Sequence, residues 1–392
     1  MSNGELGTGF SSLWRDIRKR NLMLQVLVLL ALVVFGYVAI KQAATSLQDK
    51  NIASGFSFLF SEAAFEIGES LIEYSAESKF YEAFTVGLLN TLMVALIGNL
   101  LAVIWGLLVG ISRLSPNWLL SSLARVYVDV LRNIPLLLQL FFWYALITEF
   151  FPAVRQASNP LPHVYISQRG FVFPVPEYSP VHLFMLAVFV LSVIALFFVH
   201  RWQKKRQQET GKLFPIFRIG LAVLAVPMLL TWLIGGAPTA LDVPMLGGFN
   251  FSGGVNLSPE FVALLLGLVL YTGAFNAEIV RAGIEAVKKG QKEAATSLGL
   301  SRMQVLRLVV LPQAMRVIVP PMTSQMLNLT KNSSLAVAIG YPDLVNVANT
   351  SMNQTGQAVE CIALILVIYL SFSLLTSAFM NWYNHATRLV GR

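Results

Sequence analysis

Glu293-Ala294-Ala295 is followed, four residues after the last alanine, by Gly299, and Val309-Val310-Leu311-Pro312 begin ten residues after that glycine. The chemistry open to these residue types at this spacing is mechanical rather than covalent. Ile284, Val287, Ala294, Ala295 and Leu298 place apolar side chains among charged ones, which predicts one short interfacial helix over 284–298. Gly299 then stands where a helix end needs a left-handed residue, a conformation that costs a residue with a Cβ about 1 kcal/mol or more. Ser301 offers an N-cap and Gln304 completes a capping box for a second helix, which Pro312 is expected to end or kink. Helix, tight turn, helix makes an exposed elbow that a groove of another protein can grip. Taken alone, the stretch also fits an ordinary helical hairpin in a loop.

The sequence offers no residue set for covalent, metal or redox chemistry. Gly211-Lys212 fails as a phosphate-cradling loop, because Arg206 stands where the first glycine belongs and Leu213 where Ser or Thr should follow. Neither Gly-x-Ser-x-Gly nor His-Glu-x-x-His occurs, and His163, His182, His200 and His385 are scattered without ligand spacing. Cys361 is the single cysteine, so no intrachain disulfide can form. If ATP drives this molecule, another chain binds it.

The elements that must position the elbow are membrane spans. Apolar residues make up 56% of the chain and charged ones 12%, against roughly one in four in soluble domains. Eight spans are expected at 22–40, 84–111, 134–151, 181–199, 216–234, 259–280, 313–340 and 357–383, the fifth interrupted by Pro227 and the seventh holding Pro320, Pro321 and Lys331. The first follows basic residues as a signal peptide would, but it is too long and lacks a small-residue cleavage site, so it reads as an uncleaved anchor. In the second span Gly98, Ala102, Gly106 and Gly110 recur every four residues and predict close helix packing. Residues 152–180 and 235–258, rich in Pro, Gly and aromatics, read as irregular external loops.

Cations sort these segments by side. Arg15, Arg18, Lys19 and Arg20 precede the first span; Arg113, Arg125 and Arg132 follow the second; Arg201, Lys204, Lys205, Arg206 and Lys212 follow the fourth. Lys288, Lys289, Lys292, Arg302 and Arg307 surround the elbow, so the positive-inside rule places it and both termini in the cytoplasm. Residues 49–82 are acidic and external. The net charge of +8 therefore describes a membrane face that meets lipid, not a nucleic-acid site.

The elbow resembles the EAA loop of the permease subunits of bacterial ABC importers, with Val309 in place of the usual Ile. Four further stretches narrow the likeness to the polar amino-acid branch: Gly87 to Leu92, Tyr127 to Leu140 with Asp129 for the usual Glu, Glu278 to Ile284, and Leu329 to Ala336. The additional spans make the chain similar to the larger general L-amino-acid permeases of the Aap and Bzt type. The resemblance implies an all-α polytopic fold of about eight transmembrane helices, a type I importer core with extra N-terminal and inserted helices. It divides the chain into a cytoplasmic tail (1–21), a first helix with an acidic external segment (22–83), two core parts (84–151 and 259–392) and an insert (152–258). It implies a bacterial inner-membrane location, a second permease subunit that is a paralogue, two ATP-binding subunits that hold the ATP and Mg, and a periplasmic or lipid-anchored amino-acid-binding protein, with no cofactor in this chain. Glu293, Ala294, Ala295, Gly299, Leu311 and Pro312 would then couple ATP hydrolysis to transport.

A free amino acid needs partners for an ammonium and a carboxylate along its path. Candidates among the core spans are Asn90, Gln139, Thr272, Asn276, Gln325, Asn328, Asn332 and Ser333, each equally able to hold helix to helix. For Lys331 and Glu360 a structural role is favoured. The competing class, an ion-gradient-driven transporter or channel, predicts inverted repeats and mid-membrane charges, and the sequence shows neither.

Overall fold

A computed structural model of the protein describes residues 17–49, 55–210, 216–248 and 250–387; the tail up to residue 16, Arg15 and Lys212 lie outside the described residues, as do the side chains of Arg18, Lys19 and Lys204. The helices run in the order α1 (Ile17–Asp49), α2 (Phe80–Arg113), α3 (Trp118–Asn133), α4 (Leu136–Phe150), α5 (Pro180–Thr210), α6 (Ile216–Ile234), α7 (Pro259–Glu285), α8 (Lys289–Ser297), α9 (Leu311–Asn332), α10 (Leu344–Thr355) and α11 (Ala358–Thr387). Contacts divide the chain into two compact units, one of residues up to Ala124 and from Phe275 onward, the other Arg125–Ala274.

Among the described residues six helices are long and apolar enough to cross a membrane, and the pair α3–α4, bent by 107°, makes a seventh. The expectation of eight is therefore approximate. Its fifth span is α6, whose apolar part, Ile219–Ile234, is shorter than the others. Pro227 lies inside α6 without breaking it, and the Thr231 hydroxyl donates to the Pro227 carbonyl at 2.8 Å.

In the Arg125–Ala274 unit the bend has a local cause. Pro135 has no N–H and keeps Ile134 out of the helical conformation, which leaves carbonyls open. Gln139 closes them: its Nε2 donates to Leu131 O at 2.9 Å and Ile134 O at 3.0 Å. Tyr127 then ties α3 to α7 through the Leu270 carbonyl at 2.6 Å.

The two segments expected to be irregular are not. Residues 158–176 and 241–257 form strands: β1 (Ser158–Leu161), β2 (Val164–Ser167), β3 (Gly170–Phe173), β4 (Val175–Pro176), β5 (Leu241–Asp242), β6 (Met245–Gly247), β7 (Asn250–Ser252) and β8 (Val255–Leu257). They pair antiparallel as a sheet of order β1-β2-β3-β8 and two ribbons, β4-β5 and β6-β7. Phe171 opposite Leu257 shows why local pattern missed it: the partner strand lies beyond α5 and α6. Those two helices pack on each other, and α5 carries Arg201 over the Phe197 ring at 4.7 Å and Arg206 over the Trp202 ring at 5.0 Å.

In the other unit, α1 presents apolar side chains all round and none of its span is buried. At one end of the unit the segment from Phe56 to Lys79 folds onto α2, α10 and α11 through Phe58, Ala63, Phe80, Phe84, Leu344, Val347 and Cys361. Polar groups complete the seal. Glu360 accepts the Gly55 N–H at 2.6 Å, which is a structural role for that buried carboxylate, and Thr91 accepts the Leu344 N–H at 3.0 Å. Asp343 caps α10 by accepting the Asn346 N–H at 2.9 Å.

Burial pushes the Asp343 carboxyl up to about 7, outweighing the N–H groups of Asn346 and Val345 and the Tyr369 hydroxyl that favour its charged form. The folded protein thus holds a proton that the unfolded chain releases from its ordinary value of 3.8 upward, so stability falls as pH rises from about 4 to about 7. Asp343→Asn, which can still cap α10, should flatten that slope and gain on the order of 1–4 kcal/mol over the parent at about pH 8. Thermal unfolding in detergent across this range is the check, and a variant with the parent's slope would refute the assignment.

Candidate functional site

The elbow joins α7 to α9. The helix expected over 284–298 is instead broken: α7 runs on to Glu285, the chain turns at Lys288, and α8 starts at Lys289. The turn lets Ile284, Val287 and Ala295 all enter one cluster with Val280, Val305, Val310, Ala314 and Ile318. One straight helix would spread residues 284, 287 and 295 over about three turns of one face, whereas the break brings the half-buried Ile284 and the buried Val287 and Ala295 to a single cluster.

Past α8 the backbone follows the predicted glycine stop. Gly299 has φ of 80°, its N–H donates to Thr296 O at 2.9 Å, and the Leu300 N–H donates to Ala295 O at 3.3 Å. These are the two bonds of a Schellman motif, with Leu300 packed beside Ala295 in the cluster. Ser301 and Gln304 form the capping box, the Ser301 N–H meeting Gln304 Oε1 at 2.8 Å and the Gln304 N–H meeting Ser301 Oγ at 3.4 Å.

Pro312 does not end the second helix. A turn at Arg302–Gln304 leads into a π-helical stretch, Val305–Val310, that continues into α9. Proline has no N–H, so an α-register here would lose a bond at its own position. The Leu311 N–H reaches back five residues to Leu306 O, the Gln313 amide donates to Val309 O at 3.0 Å, and Pro312 sits in the first turn of α9, where a missing donor is tolerated.

What the elbow presents outward is apolar as well as charged. Ala295 is buried, while Glu293 and Ala294 are exposed and Glu293 pairs only loosely, at 3.7 Å, with Lys289. Such a solvated pair contributes little to stability. Leu298 is 82% exposed and Met303 69% exposed, one on each side of the glycine turn. The sequence reading singled out neither as an exposed apolar side chain. Their signal was two large apolar residues flanking Gly299 in a stretch otherwise rich in polar side chains.

The polar residues of the spans fall into two sets. Asn90 donates to the carbonyls of Glu69 and Pro342 at 2.9 Å, Asn276 to Ala102 O at 3.1 Å, Ser333 to Thr330 O at 2.8 Å, and Gln139 to the two carbonyls at the bend. Thr272 is buried in α7. Gln325, Asn328 and Asn332 differ: they share one face of α9 with Ser324 and Lys331, and that face is exposed or half-buried. Ser324 was overlooked, although it stands four residues before Asn328. Within a span, an exposed polar face requires water or a partner opposite it.

The family model described as binding-protein-dependent transport system inner membrane component matches residues 214–389. The general L-amino acid transport system permease protein AapQ of Rhizobium johnstonii is 46% identical over 98% of this chain and 97% of its own length. The putative amino-acid ABC transporter permease protein YhdX of Escherichia coli is 44% identical over 94% of each chain. The glutamate/glutamine/aspartate/asparagine transport system permease protein BztB of Rhodobacter capsulatus is 38% identical over 98% of each.

A Cβ at Gly299 would meet no atom within 4 Å, so a substitution there is penalised by backbone conformation alone. Gly299→Ala should weaken the Schellman turn by about 1 kcal/mol, and Gly299→Val by more because of its β-branch. Amide exchange at Leu300 reads this directly: it should quicken in the order Gly, Ala, Val, and parent-like protection in the Val variant would exclude the cap as the source of order.

Proposed function

The chain belongs to the permease family of binding-protein-dependent amino-acid ABC importers, and from that premise we propose how it works: it moves L-amino acids across the bacterial plasma membrane by alternating access, driven by ATP hydrolysed on separate subunits. The observation that carries this reading is the capped elbow between two membrane helices, with Leu298 and Met303 standing exposed beside Gly299. Exposed apolar knobs on a rigid turn fit a groove in a soluble partner. Glu293, Ala294 and Ala295 orient that turn, and Leu311 and Pro312 join it to α9, so a pull on the elbow reaches a span that bears the polar face. A secondary transporter would have no use for such an elbow, and the relatives do not favour one.

In this scheme two ATP-binding subunits hold ATP and Mg, a paralogous permease completes the pathway, and a periplasmic or lipid-anchored binding protein delivers the amino acid. The cation distribution supports placing the elbow and both termini in the cytoplasm. Arg201 and Arg206, stacked on aromatic rings at the end of α5, suit lipid headgroups there. Gln325, Asn328 and Asn332 supply donors and acceptors for an ammonium and a carboxylate, whereas Asn90, Gln139, Asn276 and Ser333 spend their donors on backbone carbonyls.

Reconstitution with all partners in vesicles tests the reading. Leu298→Glu combined with Met303→Glu should abolish substrate-stimulated ATP hydrolysis while the spans stay inserted; unchanged stimulation would overturn the docking role. Asn328→Leu should raise the half-saturating amino-acid concentration for uptake about fivefold, the loss of roughly one hydrogen bond. Uptake with the parent's saturation curve would remove Asn328 from the path.

A further inference from the structure

Glu278 lies on α7 about two turns before the elbow and is shared between two arginines. Arg113, the last residue of α2, pairs through Nη1 with Glu278 Oε2. Arg281 donates through Nη2 to Glu278 Oε1 at 2.5 Å and through Nε to Oε2 at 3.3 Å, while its Nη1 meets Glu285 at 2.5 Å. The Arg113 side chain is 12% exposed and that of Glu278 27%, so water screens the contact only in part. Without the carboxylate, two guanidinium groups would face each other across the ends of α2 and α7.

The surroundings make this a junction rather than a surface ion pair. A Cβ on Gly110 would stand 2.8 Å from Ala277 O and from Val280 Cβ, so α2 and α7 touch backbone to backbone within a turn of the charges. A Cβ on Gly283 would stand 2.3 Å from Ile318 Cγ1, so α7 meets α9 as closely. Val103 and Leu107 of α2 pack against the elbow cluster of Val287, Ala295 and Val305. The ends of α2 and α7, the elbow and the start of α9 therefore form one packed body, and Glu278 is its charged centre.

We propose that Glu278 is a positioning residue for coupling: by neutralising Arg113 and Arg281 together it locks the end of α2 to α7, so that movement of the elbow carries α2 with it. This rests on the importer reading above. Apolar packing alone would leave α2 and α7 in contact yet opposed by paired positive charges. The charge pattern gives an ordered expectation. Arg113→Gln leaves the Glu278–Arg281 pair intact and is mild. Glu278→Gln takes the carboxylate from Arg113 and leaves Arg281 only Glu285, so that Arg113 faces Arg281 without a shared counter-charge, and is severe. Arg113→Gln with Glu278→Gln removes the repulsion and recovers part of the loss, a non-additive result.

The measurement is amino acid taken up per ATP hydrolysed by the complete complex in vesicles, with subunit stoichiometry checked in the same preparation. Glu278→Gln should lower this ratio about tenfold, within the usual range of coupling free energies, while assembling normally. Glu278→Asp, which keeps the charge, should stay nearer the parent, and the double variant should exceed Glu278→Gln. A parent-like ratio in Glu278→Gln, a double variant no better than Glu278→Gln, or a loss that merely follows poor assembly would each overturn the inference. A parent complex that fails to couple hydrolysis to uptake would defeat the importer reading instead, which separates the two failures.

Discussion

The contact on which the rest depends is backbone against backbone, where Gly110 of α2 meets Ala277 and Val280 of α7. Lipid tails are as apolar as leucine, so helices in a bilayer gain little from burying apolar surface against one another and must gain from close fit and internal hydrogen bonds. The buried row Gly98, Ala102, Gly106 and Gly110 permits the approach, and the Asn276 amide, bonded to Ala102 O, fixes its register. With that register set, Arg113 comes level with Glu278, and Val103 and Leu107 reach the elbow cluster. A bulkier residue at 110 would displace all of these at once.

Much of the elbow was legible in the sequence because its bonds are local. The Schellman turn and the capping box span five or six residues, and Gly299, Ser301 and Gln304 each have a conformation or donor that few other residues supply. The break before α8 was not legible. Apolar residues at 284, 287 and 295 fit one helix face loosely, and only the cluster of Val305, Val310 and Ala314 on a later segment decides that the chain must turn at Lys288. Pro312 misled for a related reason. Proline forbids an α-helical bond at its own position, but a π-register upstream and the Gln313 side chain absorb the defect and the helix goes on. The spans were legible in outline, while the strands were hidden, since β3 finds its partner β8 only after two helices have intervened.

The polar residues of the spans show where sequence reasoning stops. Asn90, Gln139, Asn276 and Asn328 are alike as residue types, and each is too costly to leave unpaired in lipid. What separates them is whether a carbonyl is left open nearby. Pro135 opens carbonyls that Gln139 closes, and the approach of α2 to α7 brings Ala102 O to Asn276. Among the described residues Asn328 has no such neighbour on its side of α9. That difference is tertiary, and no spacing in the sequence announces it.

The distribution of exposed surface then follows from the solvent each helix meets. α1 and α5 are apolar on every side and almost wholly exposed, as helices bathed in lipid must be, and their exposure implies nothing about the path. α9 combines buried Ala314, Ile318 and Met322 with a row of exposed Ser324, Asn328 and Lys331 and half-buried Gln325. Hydrocarbon would penalise that row at every turn, so the surface opposite it has to be wet or protein. The same helix is the one joined to the elbow, without a break, through the π-helical turn. The molecule therefore places its water-requiring face on a span that continues unbroken from the elbow.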